Sequence, residues 1–181
     1  MSGRDGSQRE RATPGAGRRS EVDAVIRSTL DERGLEYQRT GEGSYLVRLP
    51  GTHKQATMCW LVAGDHALLV EAFVMRHPDE HRERLYDFLL QRNARMYGVA
   101  FSVDPSGDVY LVGRVALSSV SPDEIDRLLG AVLSYADDNF DAMLEIGFAG
   151  SIRREWTWRA ARGESLANLQ PFARFADPDR Q

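Results

Sequence analysis

Two periodicities of hydrophobic residues alternate along the chain, and together they predict a mixed α+β fold. Apolar residues spaced three and four apart indicate helices, while strict alternation of apolar and polar residues indicates half-buried strands. The predicted order is one helix, four strands, a second helix, two strands and a long third helix, followed by a C-terminal helical extension. No internal repeat or long linker divides this order, so we expect a single domain.

The first two helices are defined mainly by the residues predicted to start and stop them. Ser20 is the predicted N-cap of the first helix, and Gly34 is predicted to end it. The second helix is predicted over Asp79–Tyr97, with Pro78 at its first position and Gly98 as a left-handed cap after its end.

The third helix has the clearest start signal in the chain. Ser121 supplies a cap and is followed directly by proline, and the apolar face then continues for more than five turns. Its periodicity resumes beyond Gly147 and Gly150, which predicts a helix to about Arg162 with a kink at the glycines. The opposite face carries an acidic row that we interpret as solvated: Asp137, Asp141 and Glu145. The apolar residues that follow are expected to fold back on the domain: Leu166, Leu169, Phe172 and Phe175.

Six segments have the alternation of strands and are separated by turn residues. They are residues 35–39, 44–49, 55–62, 67–75, 99–103 and 108–117. The segment Ala67–Met75 is the most informative, because successive side chains of a strand point to opposite faces. One face is aliphatic and is expected to lie in the core: Leu68, Val70, Ala72 and Val74. The other face is apolar but interrupted by a carboxylate: Leu69, Glu71, Phe73 and Met75.

That second face has two interpretations, which the sequence leaves open. It can pack against the N-terminal helix, or it can be a contact surface for a second subunit or a partner protein. On the second interpretation, Leu69, Glu71, Phe73 and Met75 form a protein-binding site. Changing Leu69 and Phe73 to polar residues would then weaken association without unfolding the monomer.

Composition and charge narrow the possible functions. The 181 residues have a formal net charge of −4, which argues against a protein built to coat nucleic acid. Residues 1–19 hold five arginines against Asp5 and Glu10, and we expect them to form a disordered basic tail. The domain is then residues 20–175, and residues 176–181 are expected to be loose. Arginine supplies 22 of the 23 basic residues, which we attribute to a GC-rich bacterial genome.

The sequence favours a cytoplasmic location. Its single cysteine, Cys59, cannot form an internal disulfide, which fits a reducing compartment. No apolar run approaches the roughly 20 residues of a membrane span, and the N-terminus lacks the apolar core of a secretory signal.

Candidate chemistry is sparse. Residues 77–81 match the pattern H-x-x-E-H of inverted zinc peptidases, but Pro78 places His77 at a helix boundary, which spoils the geometry of a zinc site. Arginines interleave with Trp156 and Trp158, and such a stretch can grip RNA or a membrane. We favour the alternative, in which Trp156 packs inward and arginine stems shield Trp158. We therefore expect no catalytic residue, no metal and no cofactor.

Three stretches resemble the YbjN family, and in particular the YbjN domain-containing proteins of actinobacteria. They are the run LLQRNARMYGVAF at 89–101, the hairpin at 104–113, and LEIGF with RREW at 144–148 and 153–156. The likeness covers roughly residues 20–170. It implies a fold like that of type III secretion chaperones, with an antiparallel sheet of five to six strands packed with helices, often paired into dimers.

For function, the resemblance implies a regulatory or chaperone-like role in stress adaptation, without known enzymatic residues. We therefore expect a non-enzymatic protein-binding module, dimeric, that uses an exposed part of the sheet or the cleft beside the helix Asp79–Tyr97. The alternative is a hydrolase or small-ligand-binding protein whose polar groups converge only in the folded chain.

Overall fold

A computed structural model of the protein describes residues 14–176, which form an antiparallel sheet with helices packed on it. Five helices are described: α1 (Pro14–Glu32), α2 (Arg82–Asn93), α3 (Pro122–Asp138), α4 (Phe140–Arg162) and α5 (Ala173–Ala176). The strands are β1 (Glu36–Gly41), β2 (Ser44–Pro50), β3 (Ala56–Ala63), β4 (Ala67–Met75), β5 (Ala100–Val103) and β6 (Val109–Ala116). Short 3₁₀ helices lie at Leu117–Ser119 and Ala167–Phe172. The predicted fold class is confirmed.

The six strands form one sheet in the order β1-β2-β3-β4-β6-β5, with every neighbouring pair antiparallel. The first four strands follow chain order because each hairpin returns beside the strand before it. After α2, the chain enters β5 at the edge and returns as β6, which pairs with β4. The predicted hairpin β3–β4 and its turn are confirmed, and β4 has the predicted bounds.

One face of the sheet is buried beneath the helices. The side chains of Leu68, Val70 and Ala72 are fully buried, as the alternation in β4 predicts. They join apolar residues of the helices in a single core, including Ile26 of α1, Leu85 of α2 and Leu128 of α3. Burial of this kind, at about 25 cal/mol per Å² of apolar surface, is the main source of the fold's stability.

Two helix starts differ from the sequence prediction. Helix α1 begins at Pro14, so Ser20 lies inside the helix and is not its cap. The tail predicted to be disordered over residues 1–19 is wrong for residues 14–19, which belong to α1. Residues 1–13 and 177–181 lie outside the described residues. Helix α2 begins only at Arg82, after an irregular segment that includes Pro78. It ends at Asn93, so Gly98, although left-handed with φ 71°, sits in the following loop and does not cap the helix.

The long third helix is interrupted at Asn139 and not at its glycines. Ser121 is the N-cap of α3, accepting a hydrogen bond from the Glu124 amide at 3.2 Å, as predicted. Helix α4 runs unbroken through Gly147 and Gly150. A side chain at Gly147 would come within 2.9 Å of the Pro78 side chain. The glycines therefore allow the segment before α2 to lie against α4.

The C-terminal segment folds back on the domain, as predicted. Phe175 is buried, Phe172 packs against the core, and Arg174 pairs with Asp141 of α4. Among residues 14–176, no helix is both long enough and apolar enough to cross a membrane.

Candidate functional site

The face of the sheet opposite the helices carries an apolar surface that the described residues leave uncovered. We call it the open face. It comprises Leu46, Met58, Trp60, Val62, Leu69, Glu71, Phe73, Tyr110 and Val112. All of these side chains are half-buried or exposed, and none joins the core cluster described above. Met58 and Phe73 are 40% and 42% exposed, which is unusual for large apolar side chains in the middle of a sheet.

Strand register places the open-face residues in rows that run across the sheet. Leu46 pairs with Trp60, Trp60 with Glu71, and Glu71 with Val112. Directly paired side chains point to the same side and lie roughly 4.5–5.5 Å apart at Cβ. The Glu71 carboxylate therefore emerges between an indole and a valine, near the centre of the sheet.

Three of the four residues predicted for a protein-binding site lie on the open face, and Met75 does not. Leu69, Glu71 and Phe73 point outward, whereas Met75 is only 5% exposed. A bulge between Phe73 and Met75 inserts Val74 into β4, so Val74 and Met75 both point toward the core. The strict alternation used to place Met75 is therefore wrong at this end of the strand. Nor is this face packed against α1, which lies on the buried side with Ile26 in the core.

Phe73 is held in place by two neighbours at the rim of the open face. Its ring makes an edge-to-face contact with Tyr110, with ring centroids 5.5 Å apart. The ammonium of Lys54 lies 5.7 Å from the Phe73 ring centre and donates a 2.7 Å hydrogen bond to the Phe73 carbonyl oxygen. Burial lowers the pKa of Lys54 to about 8, against a smaller opposing effect from the Asp137 charge. Lys54 thus covers one edge of the ring and leaves the rest exposed.

Asp137 has a structural role that the sequence did not reveal. Its side chain is 6% exposed and accepts hydrogen bonds from the amides of Thr52, His53 and Lys54 at 2.8–2.9 Å, and from the Thr52 hydroxyl at 2.8 Å. Burial raises its pKa, but these donors together outweigh that effect and lower the pKa to about 2. The prediction that the acidic row is merely solvated is therefore wrong for Asp137.

The other members of the acidic row differ from one another. Asp141 accepts a 2.7 Å hydrogen bond from His53 Nδ1 and pairs with Arg174, whereas Glu145 is exposed. Asp23, a second buried carboxylate, accepts from the Gly43 amide at 2.8 Å and the Tyr45 hydroxyl at 2.6 Å. Both buried carboxylates, Asp23 and Asp137, thus bind loop and strand donors of the fold itself.

The H-x-x-E-H residues do not share a helix. His77 and His81 are exposed in the segment before α2, and Glu80 accepts a 2.5 Å hydrogen bond from the Gly150 amide. Asp79 accepts two bonds from Arg76 and one from the Ser151 hydroxyl. This segment therefore attaches α2 to α4. Within residues 14–176, no group of three or more metal-ligating side chains comes together.

The cleft beside α2, the other surface considered for binding, lies between the ends of α2 and α3 and has a volume of about 780 Å³. Its lining mixes Phe88, Met96 and Tyr135 with the long polar side chains of Arg92 and Arg95. Arg92 stacks on Phe88, with its guanidinium carbon 4.8 Å from the ring centre. The cleft is thus lined by both apolar and charged side chains, and one of its arginines covers an aromatic ring of the same cleft.

The two remaining candidates from the sequence are also placed by the structure. Trp156 is half-buried, and the guanidinium of Arg162 covers the Trp158 ring at 4.4 Å from its centre. Trp158 nevertheless stays 46% exposed, so the predicted shielding by arginine is only partial. Cys59 is fully buried in β3, and burial raises the pKa of its thiol to about 12, so the residue behaves as a small apolar side chain.

Comparison with solved structures defines the class of the fold. The chain is similar to a protein of the HopA1–SchA chaperone–effector complex, with a TM-score of 0.50 and 12% identity over 65% of this chain and 91% of that one. It is also similar to a chain of the ExsC–ExsE complex, with a TM-score of 0.50 and 19% identity over 68% of this chain and 94% of that one. At these identities the likeness concerns the fold alone. The fold is similar to that of a chain from a chaperone–effector complex, which agrees with the predicted chaperone-like fold class.

The chain belongs to the YbjN family, whose sequence model matches residues 23–145 and carries the description "Putative bacterial sensory transduction regulator". It is 52% identical over 157 residues to an uncharacterised protein of Mycobacterium tuberculosis, covering 84% of this chain and 86% of the relative. It is 51% identical over 161 residues to an uncharacterised protein of Mycobacterium leprae, covering 86% and 88% of the two chains. The family predicted from residues 89–101 and the other stretches is confirmed.

Proposed function

We propose that this protein is a non-enzymatic binding module that holds a partner protein on the open face of its sheet. The observation that carries the proposal is the run of apolar side chains across β2, β3, β4 and β6 that no described residue covers. Covering such a surface gains about 25 cal/mol per Å² of apolar area, which is a strong drive for association. The site in this proposal keeps Leu69, Glu71 and Phe73 and replaces Met75 with Met58 and Trp60.

The fold class and the family support a protein partner. The solved structures of similar fold are complexes of two different proteins, and one is a chaperone–effector complex by its own name. From the family we propose a regulatory or chaperone-like role, with stress adaptation as its setting. The single buried thiol of Cys59 is consistent with action in the reducing cytoplasm.

The experiment compares a double variant of the open face with a matched change elsewhere. Leu69→Ser with Phe73→Ser removes two apolar side chains from the open face, while Leu90→Ser removes a leucine that is 67% exposed on α2. Each tagged protein is used for affinity capture from the native cytoplasm, and the mass of the purified complex is measured by light scattering.

We expect the double variant to lose its captured partner, or its second copy, while the Leu90→Ser protein keeps it. Circular dichroism and thermal unfolding should show that both variants remain folded, because neither alters the buried core. Equal capture by the wild type and the double variant would refute the assignment of the open face.

A further inference from the structure

The open face contains one carboxylate near its centre, Glu71, that forms no ion pair with the cations of the same face. Within residues 14–176, the Glu71 carboxylate has neither a hydrogen-bond donor within 3.5 Å nor a cation within 4.0 Å. Arg48 pairs instead with Glu36 at 3.5 Å, and Lys54 is bonded to the Phe73 carbonyl. Arg114, opposite Leu69 on the same face, is exposed and forms no ion pair within 4.0 Å among residues 14–176. Glu71 thus differs from Asp137, whose oxygens accept four hydrogen bonds.

Beside Glu71, the open face dips into a shallow depression of about 310 Å³. Its lining combines two carboxylates and two hydroxyls with one apolar side chain: Glu71, Asp104, Ser102, Tyr110 and Val112. Asp104 uses one oxygen, Oδ1, to accept the amides of Ser106 and Asp108 in the β5–β6 turn. Its second oxygen, like the Glu71 carboxylate, is available to an incoming donor.

Several carboxylates act on the Tyr110 hydroxyl at the depression. Burial raises the pKa of Tyr110, and the charges of Asp104, Asp108 and Glu71 raise it further. A cationic head group entering here would meet acceptors in several directions. The planar guanidinium of arginine suits such a set best, because its five donors form a rigid fork, while the lysine ammonium can act as a point charge.

Apolar side chains surround Glu71, so its charge affects which partner proteins can bind the open face. Trp60 and Val112 flank it across the sheet, and Leu69 and Phe73 follow it along the outer side of β4. A purely apolar partner would remove the carboxylate from water without donating a hydrogen bond to it, which is unfavourable. A partner that places a cation beside Glu71 instead donates a charge-assisted hydrogen bond to the carboxylate.

We propose that Glu71 makes the open face selective for a protein segment that presents one arginine or lysine among apolar side chains, with the basic head in the depression between Glu71 and Asp104. This inference rests on the proposed function, because it names the partner chemistry that the same surface accepts. The apolar residues of the segment would cover Met58, Trp60 and Phe73.

The test is a selection from a displayed library of random peptides, carried out in parallel on four forms of the full-length protein. These are the wild type, Glu71→Gln, Glu71→Arg and the control Glu145→Gln, which neutralises an exposed carboxylate on α4. Peptides are scored only if the double variant Leu69→Ser/Phe73→Ser fails to bind them. Thermal unfolding confirms that each form is folded before selection.

The wild type and Glu145→Gln should enrich apolar peptides with one basic residue, and Glu71→Arg should enrich an acidic residue in its place. An enriched peptide should bind Glu71→Gln about tenfold more weakly than the wild type, the loss expected for one partly buried charge pair. Identical sequences from the wild type and Glu71→Gln would overturn the role of Glu71 and leave the proposed function standing.

Two further outcomes count against the inference in different ways. If every peptide that binds the wild type also binds the double variant Leu69→Ser/Phe73→Ser, or if none binds at all, the proposed function is wrong. The inference about Glu71 is then wrong as well. If the wild type binds only a second copy of itself, with a doubled mass that the double variant loses, the open face is a dimer interface. The protein-binding surface then stands, but the basic peptide segment is wrong.

Discussion

The two faces of the sheet are built from the same strands but have opposite properties. In β4, Leu68 is completely buried under the helices, while its neighbour Leu69 lies half-exposed on the open face. In β3, Cys59 and Trp60 show the same contrast. Because side chains alternate along a strand, one segment of sequence can supply the core and a surface for other molecules at the same time.

The polar groups of the two sides differ just as clearly. On the helix side, Asp23 and Asp137 are each surrounded by donors from the backbone and from side chains. On the open face, Glu71 has no such donors among residues 14–176. The two buried carboxylates of the helix side therefore have their donors within the chain, whereas Glu71 has none among the residues that the structure describes. The following predictions test that difference.

The largest effect is expected from a pair of neighbouring leucines. Leu68→Ala should lower the free energy of unfolding by about 3 kcal/mol, since it leaves a cavity in a packed core. Leu69→Ala should lower it by less than about 1 kcal/mol, because this side chain packs against nothing on its outer side. Chemical denaturation of both variants measures the two values. Equal losses would mean that the open face is covered in solution.

The second prediction concerns the buried carboxylate of α3. Asp137→Asn should destabilise the fold by about 2 kcal/mol, because an amide group turned toward the loop donors leaves some of them unpaired. The matched change Glu145→Gln on α4 should have almost no effect, since Glu145 is exposed. The same denaturation experiment compares the two, and a neutral Asp137→Asn would contradict the role given to the loop contacts.

The contribution of Asp137 should also depend on pH. Its pKa in the folded protein, about 2, lies below the ordinary value of 3.8, so it stabilises the fold at pH values above 3.8 and stops doing so as the pH falls through about 2. The difference in stability between the wild type and Asp137→Asn should therefore be constant near neutral pH and shrink in acid. A difference that does not change with pH would show that the charge of Asp137 is not involved.

The smallest effect is expected from two tyrosines on opposite faces. Tyr45→Phe removes the hydroxyl that donates to Asp23 and should cost about 1 kcal/mol. Tyr110→Phe, on the open face, should change stability by a few tenths of a kcal/mol at most. Thermal unfolding distinguishes the two. A larger loss at Tyr110 would indicate that its hydroxyl has a partner on the open face.

Much of the fold could be predicted because its signals are local. The bounds of β4, the cap at Ser121 and the burial of Leu68, Val70 and Ala72 depend on neighbouring residues and on the period of the strand. The predictions failed where distant contacts overrule local preference. Pro78 has the features of a helix start, yet it lies outside α2, in a segment whose Asp79 and Glu80 amides donate to the carbonyl of Gly147 on α4.

The residues of the candidate site also fall into those that local sequence predicts and those that depend on distant contacts. The outward-facing Leu69, Glu71 and Phe73 follow from alternation, but Met75 was misplaced because a bulge at Val74 can be recognised only from the pairing with β6. Asp137 looked like one of three carboxylates on a helix face, and nothing in its neighbourhood marks the loop that it binds. That loop lies more than eighty residues away along the chain.

The sequence by itself determined which residues form strands and helices, which strand positions are apolar, and the family to which the chain belongs. These properties depend on side-chain chemistry repeated at short, regular intervals. Only the tertiary structure decided which sheet face the helices cover, which carboxylates find donors and which one is left without them. Those outcomes depend on where segments far apart in the chain meet, and no local pattern records that.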